Sequence, residues 1–156
     1  MVTVYLSLGS NIEPREKNLK KAEEEINAHA HMRIIKSSCI YETEPWGVSE
    51  TMWFLNACLK IKTSLNPYAF LYELQHIEKK LGRTQKGVYA PRTIDIDILL
   101  YGNKIMDTEE LTIPHKHMRE RLFVLTPLLE IAPHLKDPIS KIPLKKFHEY
   151  LVRTET

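Results

Sequence analysis

The stretch APRTIDIDILLY, residues 90–101, decides the fold of this chain. Aliphatic side chains occupy alternate positions within it: Ile94, Ile96, Ile98 and Leu100. The positions between them carry Asp95, Asp97 and Leu99. A period of two is typical of a β-strand, whose successive side chains point to opposite faces. We therefore predict a strand with one aliphatic face and a second face on which two carboxylates lie two residues apart.

The two aspartates form a candidate metal site. Same-face neighbours on a strand lie about 6.5–7 Å apart at Cα, so Asp95 and Asp97 can share one cation or bridge two cations about 3.5–4 Å apart. Close carboxylates repel each other, and Mg²⁺, which binds through carboxylates and substrate phosphates, relieves the repulsion. Arg92, beside Pro91, would add a positive charge near such phosphates. The alternative is an exposed strand face with two solvated aspartates.

Length and composition are those of one globular domain covering residues 1–156. Hydrophobic residues make up 43% of the chain and charged residues 27%, and the net charge of +2 does not indicate a nucleic-acid-binding surface. The N-terminus does not resemble a signal peptide and no apolar run reaches membrane-spanning length, so we expect a cytoplasmic protein without a membrane partner. Cys39 and Cys58 lie in apolar runs, which predicts buried, reduced thiols.

Local patterns predict the other elements. The predicted strands are Val2–Leu8, Met32–Thr43 and Trp53–Lys62, with a turn at Gly9-Ser10-Asn11. The predicted helices begin near Pro14, run from Asn66-Pro67 to Gly82, cover Arg119–Ala132 with a kink at Pro127, and occupy Leu144–Val152. The order β-α-β-β-α-β-(β)-α predicts an α+β domain with a mostly antiparallel sheet covered by helices, in the ferredoxin-like manner.

Two patterns single out further polar residues. On the second helix Glu78 falls inside the apolar arc and Gln75 at its edge, so Glu78 must reach solvent, a protein partner or a ligand. On the strand that follows Trp53, Phe54 and Asn56 share one face.

Seven segments resemble the 6-hydroxymethyl-7,8-dihydropterin pyrophosphokinase family. The most specific is APRTIDIDILLYGN (90–103), and the others are LSLGSN (6–11), YETEPWG (41–47), FLNACL (54–59), QHIEKKLGR (75–83), LTIPHKHMRERLFVLTPL (111–128) and PLLEIAP (127–133). A lone Asp-x-Asp is a weak signal, but these segments in this order cover nearly the whole chain. The resemblance implies that the pyrophosphoryl group of ATP passes to the pterin's hydroxymethyl oxygen and that AMP is released.

The resemblance also implies a set of site residues. Two Mg²⁺ ions would be held by Asp95 and Asp97, and Arg83 and Arg92 would contact phosphate, so these four residues are the predicted catalytic set. The residues that match ATP-binding positions are Gln75, Glu78, Arg83, Arg92, Ile98, Thr112, His115 and Arg121. The residues that match pterin-binding positions are Thr43, Pro45, Trp46, Phe54, Asn56, Asp95 and Phe123. The expected partners are these two small molecules only, and the expected state is a monomer.

The chain departs from the family's usual residues around the nucleotide. The family places a tryptophan at the position of Tyr89, a basic residue at that of Val88 and an arginine at that of Gln85. It often has a basic residue at the position of Glu110 and an aromatic at that of Lys116. The loss of positive charge at Val88 and Gln85 is expected to weaken the hold on the triphosphate, unless Lys86 compensates for it in a shifted register. Trp46 replaces a smaller apolar residue.

Two other functions compete with the pyrophosphokinase reading. A metal-dependent nucleotidyltransferase or phosphohydrolase would use the same Asp-x-Asp pair. A ferredoxin-like binding module would carry the two carboxylates on its surface without chemistry. The pyrophosphokinase and the nucleotidyltransferase or phosphohydrolase both require a nucleotide or phosphate site next to Asp95 and Asp97, whereas the binding module does not.

Overall fold

A computed structural model describes residues 1–44, 53–82 and 93–155. The strands are β1 (Val2–Ser10), β2 (Met32–Ser37), β3 (Tyr41–Thr43), β4 (Phe54–Thr63), β5 (Asp95–Tyr101), β6 (Met106–Asp107) and β7 (Thr112–Ile113). The helices are α1 (Arg15–Ala28), α2 (Pro67–Lys80), α3 (Leu122–Ile131) and α4 (Leu144–Thr154), with a short 3-10 turn at Met118–Glu120. None of the helices in these ranges is both long and apolar enough to span a lipid bilayer.

The main sheet has the order β2-β4-β1-β5, and every pair in it is antiparallel. β3 also pairs with β4, at the end of β4 that β2 does not reach. β6 and β7 form a separate small hairpin. The predicted α+β class with a mostly antiparallel sheet is confirmed.

The two faces of the sheet bury two separate apolar clusters. Val4, Leu6 and Leu8 of β1 point to the face covered by α1 and α2. Tyr5 points to the opposite face, where α3 and α4 pack. The strict alternation along β1 therefore divides the core into two layers, one on each side of the sheet.

A bulge in β5 changes which face its last residues occupy. Tyr5 pairs with Leu100 but Leu6 pairs with Ile98, so Leu99 is an extra residue in the strand. Leu99 and Leu100 consequently both pack in the cluster with α3 and α4. The prediction that Leu100 shares a face with Ile98 is wrong, because the bulge interrupts the alternation between them.

The predicted strand 32–43 is broken between β2 and β3. The hydroxyl oxygen of Ser38 accepts a hydrogen bond from the Cys58 backbone N–H at 2.9 Å, so the ladder to β4 is interrupted there. Cys39 lies in this break and is exposed, which corrects the prediction of a buried thiol. Cys58 is buried as predicted, and neither cysteine forms a disulfide.

Cap residues set the ends of α2. The Asn66 Oδ1 accepts a hydrogen bond from the Ala69 N–H at 2.9 Å, and Pro67 begins the helix. Gly82, with φ of 102°, follows its end in the left-handed region. The helix predicted over Arg119–Ala132 begins later, at Leu122, and Pro127 lies inside it.

Candidate active site

The floor of the site is a row of three residues on neighbouring strands. Gly9 of β1 pairs with Asn56 of β4 on one side and with Asp95 of β5 on the other. Directly paired residues of an antiparallel sheet point to the same face, so Asn56 and Asp95 flank the glycine. The turn predicted at Gly9-Ser10-Asn11 is therefore wrong for Gly9 and Ser10, which are the last residues of β1.

The two aspartates lie on one face, as predicted. Asp95 and Asp97 are half-buried, whereas Ile96 between them is buried on the opposite face, in the cluster with α1 and α2. Oδ1 of Asp95 is buried from solvent. Asp97 pairs with Ser7, one row further along the sheet. The pair is thus neither solvated freely nor sealed in the core.

Glu78 resolves the alternatives left open for it. It is only 3% exposed, and its Oε2 accepts a hydrogen bond from the Ile96 backbone N–H at 2.7 Å. Since Ile96 lies between the two aspartates, this bond holds the backbone of the carboxylate pair from the side opposite β1. A buried glutamate is tolerable here because a backbone donor stabilises it.

The residues predicted to bind the pterin come together on the same face. Asn56 is 4% exposed, and its Nδ2 donates a hydrogen bond to Thr43 Oγ1 at 2.7 Å. Thr43 pairs with Phe54, the half-buried first residue of β4. Pro45 and Trp46 lie outside the described residues.

α3 forms the other wall. Its first turn packs over β4, where the Cys58 thiol donates to the Val124 carbonyl oxygen at 3.6 Å. Phe123, one residue earlier, is partly buried and packs against the apolar cluster that contains Cys58, on the same sheet face as Asn56. The guanidinium carbon of Arg121 lies 5.4 Å from the centre of the Phe123 ring, a cation–π distance. This contact joins a predicted ATP-binding residue to a predicted pterin-binding residue.

A cavity of about 290 Å³ opens beside Asp97, between α2, β5 and the segment after β6. Four of the predicted ATP-binding residues line it, namely Gln75, Ile98, Thr112 and His115. Its volume is at the lower end of the range for small-molecule sites. Arg83 and Arg92, also predicted for this site, lie outside the described residues.

Burial and hydrogen bonding both favour the neutral form of His115. Burial is the main cause that lowers its pKa, while the negative charge of Asp97 acts in the opposite direction. Its Nδ1 accepts a hydrogen bond from the His117 backbone N–H at 3.1 Å, which leaves the proton on Nε2. The ring therefore offers an N–H donor in the cavity that Asp97 also lines.

Two of the departures from the family lie at the cavity. Glu110 and Lys116 both line it and both are exposed. The negative charge at position 110 is thus accompanied by a positive charge at position 116. Gln85, Val88 and Tyr89 lie outside the described residues.

The donor set fits a hard divalent cation whose coordination a ligand completes. Within residues 1–44, 53–82 and 93–155 no group of three or more histidine, cysteine or acidic side chains is placed to hold a metal. Two carboxylates without such a third ligand are what Mg²⁺ uses when substrate phosphates supply further oxygens, and they do not make a zinc site. The predicted metal residues Asp95 and Asp97 are the two carboxylates in question.

Sequence reasoning missed two residues of this region. The position of Gly9 continues the strand alternation of β1, which indicates that it belongs to the strand, but Gly-Ser-Asn is also typical of a turn. Glu130 of α3 has no such local signal: its carboxylate accepts from the Cys39 N–H at 3.0 Å and from the Tyr41 hydroxyl at 2.6 Å, across about ninety residues. It fastens the start of β3 to α3, and thus links two walls of the site.

A half-buried carboxylate pair beside a ligand-sized cavity, on an antiparallel sheet covered by helices, fits the class of enzymes that transfer phosphoryl groups with the help of metal ions. The profile of the 7,8-dihydro-6-hydroxymethylpterin-pyrophosphokinase (HPPK) family matches residues 5–133. The chain belongs to this family.

Individual relatives agree with this assignment. The 2-amino-4-hydroxy-6-hydroxymethyldihydropteridine pyrophosphokinase of Bacillus subtilis is 47% identical over 132 residues, which are 85% of this chain and 79% of that protein. The protein of the same name from Aquifex aeolicus is 43% identical over 147 residues, 94% of this chain and 91% of its own length.

Solved structures confirm the ferredoxin-like arrangement. The wild-type HPPK-DHPS of Plasmodium falciparum matches 99% of this chain with a TM-score of 0.76 and 16% identity. A second HPPK-DHPS structure, in complex with substrates, matches with a TM-score of 0.77 and 17% identity. This chain spans only 42% and 44% of those longer chains. At such low identity the likeness concerns the fold alone.

Proposed function

We propose that the chain transfers the pyrophosphoryl group of ATP to the hydroxymethyl group of 6-hydroxymethyl-7,8-dihydropterin, giving the pterin diphosphate and AMP, in folate biosynthesis. Membership of the pyrophosphokinase family supports the reaction. The observation that supports an assignment of this reaction to particular residues is the row formed by Asn56, Gly9 and Asp95 on neighbouring strands. Two strand spacings, about 9.5 Å, separate a group that can bind a heterocycle's edge from a group that can hold a phosphate-bound cation.

On the pterin side, Asn56 is proposed to hydrogen bond to the polar edge of the heterocycle. Its bond to Thr43 fixes the orientation of the amide, which can make up to four hydrogen bonds in all. Phe54 and Phe123 supply aromatic faces on which the flat ring stacks. Pro45 and Trp46 are assigned to the same pocket from the family resemblance.

On the nucleotide side, the cavity beside Asp97 is proposed to bind ATP. Gln75, Ile98, Thr112 and His115 line it, and the Nε2–H of His115 can donate to an anionic oxygen. Arg121 lies at the border with the pterin pocket, over Phe123. Glu78 holds the Ile96 backbone in place from the side of β5 opposite β1.

In the reaction, the hydroxymethyl oxygen attacks the β-phosphorus, and the bond from that phosphorus to the oxygen shared with the α-phosphate breaks. AMP leaves with that oxygen, and the hydroxyl proton is released. Such a transfer chiefly needs alignment and neutralisation of charge. Two Mg²⁺ ions, held by Asp95 and Asp97, would supply the neutralisation when bound, and Arg83 and Arg92 are proposed to contact phosphate as well.

The test is a reaction mixture of the protein, ATP, Mg²⁺ and the reduced pterin. We expect AMP to form in a one-to-one ratio with pterin diphosphate, and neither to form when Mg²⁺ is removed by chelation. Transfer of a nucleoside monophosphate, or release of free phosphate, would identify a nucleotidyltransferase or phosphohydrolase. Absence of nucleotide binding by calorimetry would indicate a binding module.

The proposal extends to the organisation of the protein. Residues 1–156 are proposed to act as a single monomeric domain whose partners are ATP and the pterin, not nucleic acid or membrane. Both substrates are small polar molecules, and the proposed location of the reaction is the cytoplasm.

A further inference from the structure

The centre of the pocket floor carries no side chain. Gly9 lies in an inner strand with a partner on each side, Asn56 and Asp95. Glycine in the interior of a strand is unfavourable by about 0.5–1 kcal/mol relative to alanine, because its unfolded state is more flexible. A glycine in this place therefore calls for a physical reason.

Backbone geometry does not supply that reason. The glycines with positive φ in the described ranges are Gly82 and Gly102, and Gly9 is not among them. Its extended conformation is one that any residue adopts without strain.

Packing against the described residues does not supply it either. In the described part of the chain, the atoms nearest to an ideal Cβ on Gly9 are Asn56 Oδ1 at 3.4 Å, Phe54 Cδ1 at 3.8 Å and the Leu55 carbonyl oxygen at 3.9 Å. These are ordinary van der Waals distances, so a methyl group would fit against its protein neighbours. The pairing of Gly9 is regular on both sides, which excludes a bulge, and the other common reason for glycine in a strand is the close approach of a ligand or of another backbone segment.

We propose that Gly9 is a specificity-determining residue that leaves room for the flat heterocycle directly against the main chain of β1. This inference rests on the proposed function. The ring then reaches Asn56 on one side of Gly9, and its hydroxymethyl arm reaches the side of Asp95. A Cβ would project about 1.5 Å into that space.

A displacement of this size affects both binding and chemistry. A ring lifted by a methyl group loses hydrogen-bond geometry at Asn56, where the bond length tolerates only a few tenths of an ångström. The attacking oxygen moves as well, and a misplacement of about 1 Å can slow a reaction about 100-fold. The nucleotide cavity lies beyond Asp97, so ATP binding is not disturbed by the methyl group.

The test compares Gly9→Ala with the wild type by three measurements. We expect the melting temperature and the affinity for a non-hydrolysable ATP analogue in the absence of pterin to stay near the wild-type values. Pterin affinity in the presence of that analogue should fall at least tenfold, and kcat should fall with it. Gly9→Val should lower pterin affinity and kcat further than Gly9→Ala does. Thr3→Ala, on the same face at the far end of β1, is the matched control, and its kcat and pterin affinity should not change.

Three results would overturn the proposal. Pterin binding by Gly9→Ala within twofold of the wild type would show that the space is not used. An unfolded Gly9→Ala, or equal losses of ATP and pterin affinity, would show that the fold itself requires glycine. The wild-type assay runs separately: if the wild type makes no pterin diphosphate, the proposed function fails and this inference with it, whereas an active wild type with an unaffected Gly9→Ala refutes only the role of Gly9.

Discussion

Replacement of Asn56 by alanine tests the pterin pocket most directly. The side chain is 4% exposed, lies on the pocket floor and donates a hydrogen bond to Thr43 Oγ1 at 2.7 Å. Asn56→Ala removes the amide and keeps a small apolar residue in the strand. The change should therefore act on two separate quantities, the stability of the free protein and the affinity for the pterin.

The two effects differ in size. In the free protein one neutral hydrogen bond is lost, which lowers the free energy of unfolding by about 1 kcal/mol, since the half-buried Thr43 hydroxyl can bond to water instead. In the complex, pterin groups lose their partner inside a closed pocket, which costs about 1–3 kcal/mol. At 1.4 kcal/mol per factor of ten, pterin affinity should fall about 5- to 150-fold.

Calorimetric titration with the pterin, in the presence of a non-hydrolysable ATP analogue, measures the second effect, and urea denaturation measures the first. Asn27→Ala is the matched control, because the Asn27 Oδ1 accepts a hydrogen bond from the Ile34 N–H at 3.1 Å away from the site. It should lower stability by a similar amount and leave pterin affinity unchanged. A folded Asn56→Ala protein with pterin affinity within twofold of the wild type would refute the pocket assignment.

Three further changes test other parts of the structure. Asp97→Ala should lower kcat at least about 100-fold with a melting temperature no lower than that of the wild type, and near-normal turnover at saturating Mg²⁺ would contradict its role in charge neutralisation. Glu130→Ala should release Tyr41, lower the free energy of unfolding by about 1–2 kcal/mol and raise the KM for the pterin more than the KM for ATP. Glu130→Gln keeps an acceptor oxygen and should therefore recover much of the lost stability and pterin affinity. Equal changes in the two KM values would argue against a role of Glu130 in the wall of the pterin pocket. Burial would raise the pKa of Asp137, but hydrogen bonds from Arg119 and neighbouring groups outweigh burial and hold the pKa low. The ionised carboxylate therefore stabilises the folded protein above about pH 4, and this stabilisation is lost as the pH falls further. Acid denaturation curves of the wild type and Asp137→Asn should diverge above that pH and converge below it, and parallel curves would show that ionisation of Asp137 does not contribute to stability.

Periodicity in the sequence was sufficient to predict the carboxylate face. The alternation around Asp95 and Asp97 is a local property, and the strand forms as expected from Asp95 onward. The position of Leu100 was not predictable in the same way, because the bulge before it is set by pairing with Tyr5 and Leu6, nearly a hundred residues away. Register depends on the partner strand, and a single sequence does not contain it explicitly.

The prediction of a turn at Gly9 is wrong for a related reason. Gly-Ser-Asn is typical turn chemistry, and such local preferences hold where neighbouring strands do not compete. Here hydrogen bonding to both β4 and β5 continues through Gly9, and two ladders outweigh a local preference. Glu130 shows the limit more strongly, since its contact with Cys39 has no counterpart in any local pattern.

What the sequence does contain is the division of one sheet face into two halves. On β5 the face begins with Asp95 and Asp97 and continues with Leu99, and on β4 it begins with Phe54 and Asn56 and continues with Cys58. Because β1 runs antiparallel to both, its end at Gly9 lies beside Asn56 and Asp95, the polar residues near the beginnings of the other two strands.

This arrangement determines where α3 can lie. The helix packs over the apolar half, next to Cys58, and cannot extend over the carboxylates, since burying two carboxylates that repel each other is strongly unfavourable. The uncovered half is therefore the part of the sheet that a cationic or cation-bearing ligand must complete. On this reasoning, replacing Asp95 and Asp97 together by asparagine should raise the stability of the free protein while abolishing turnover, and a loss of stability measured by urea denaturation would contradict the argument.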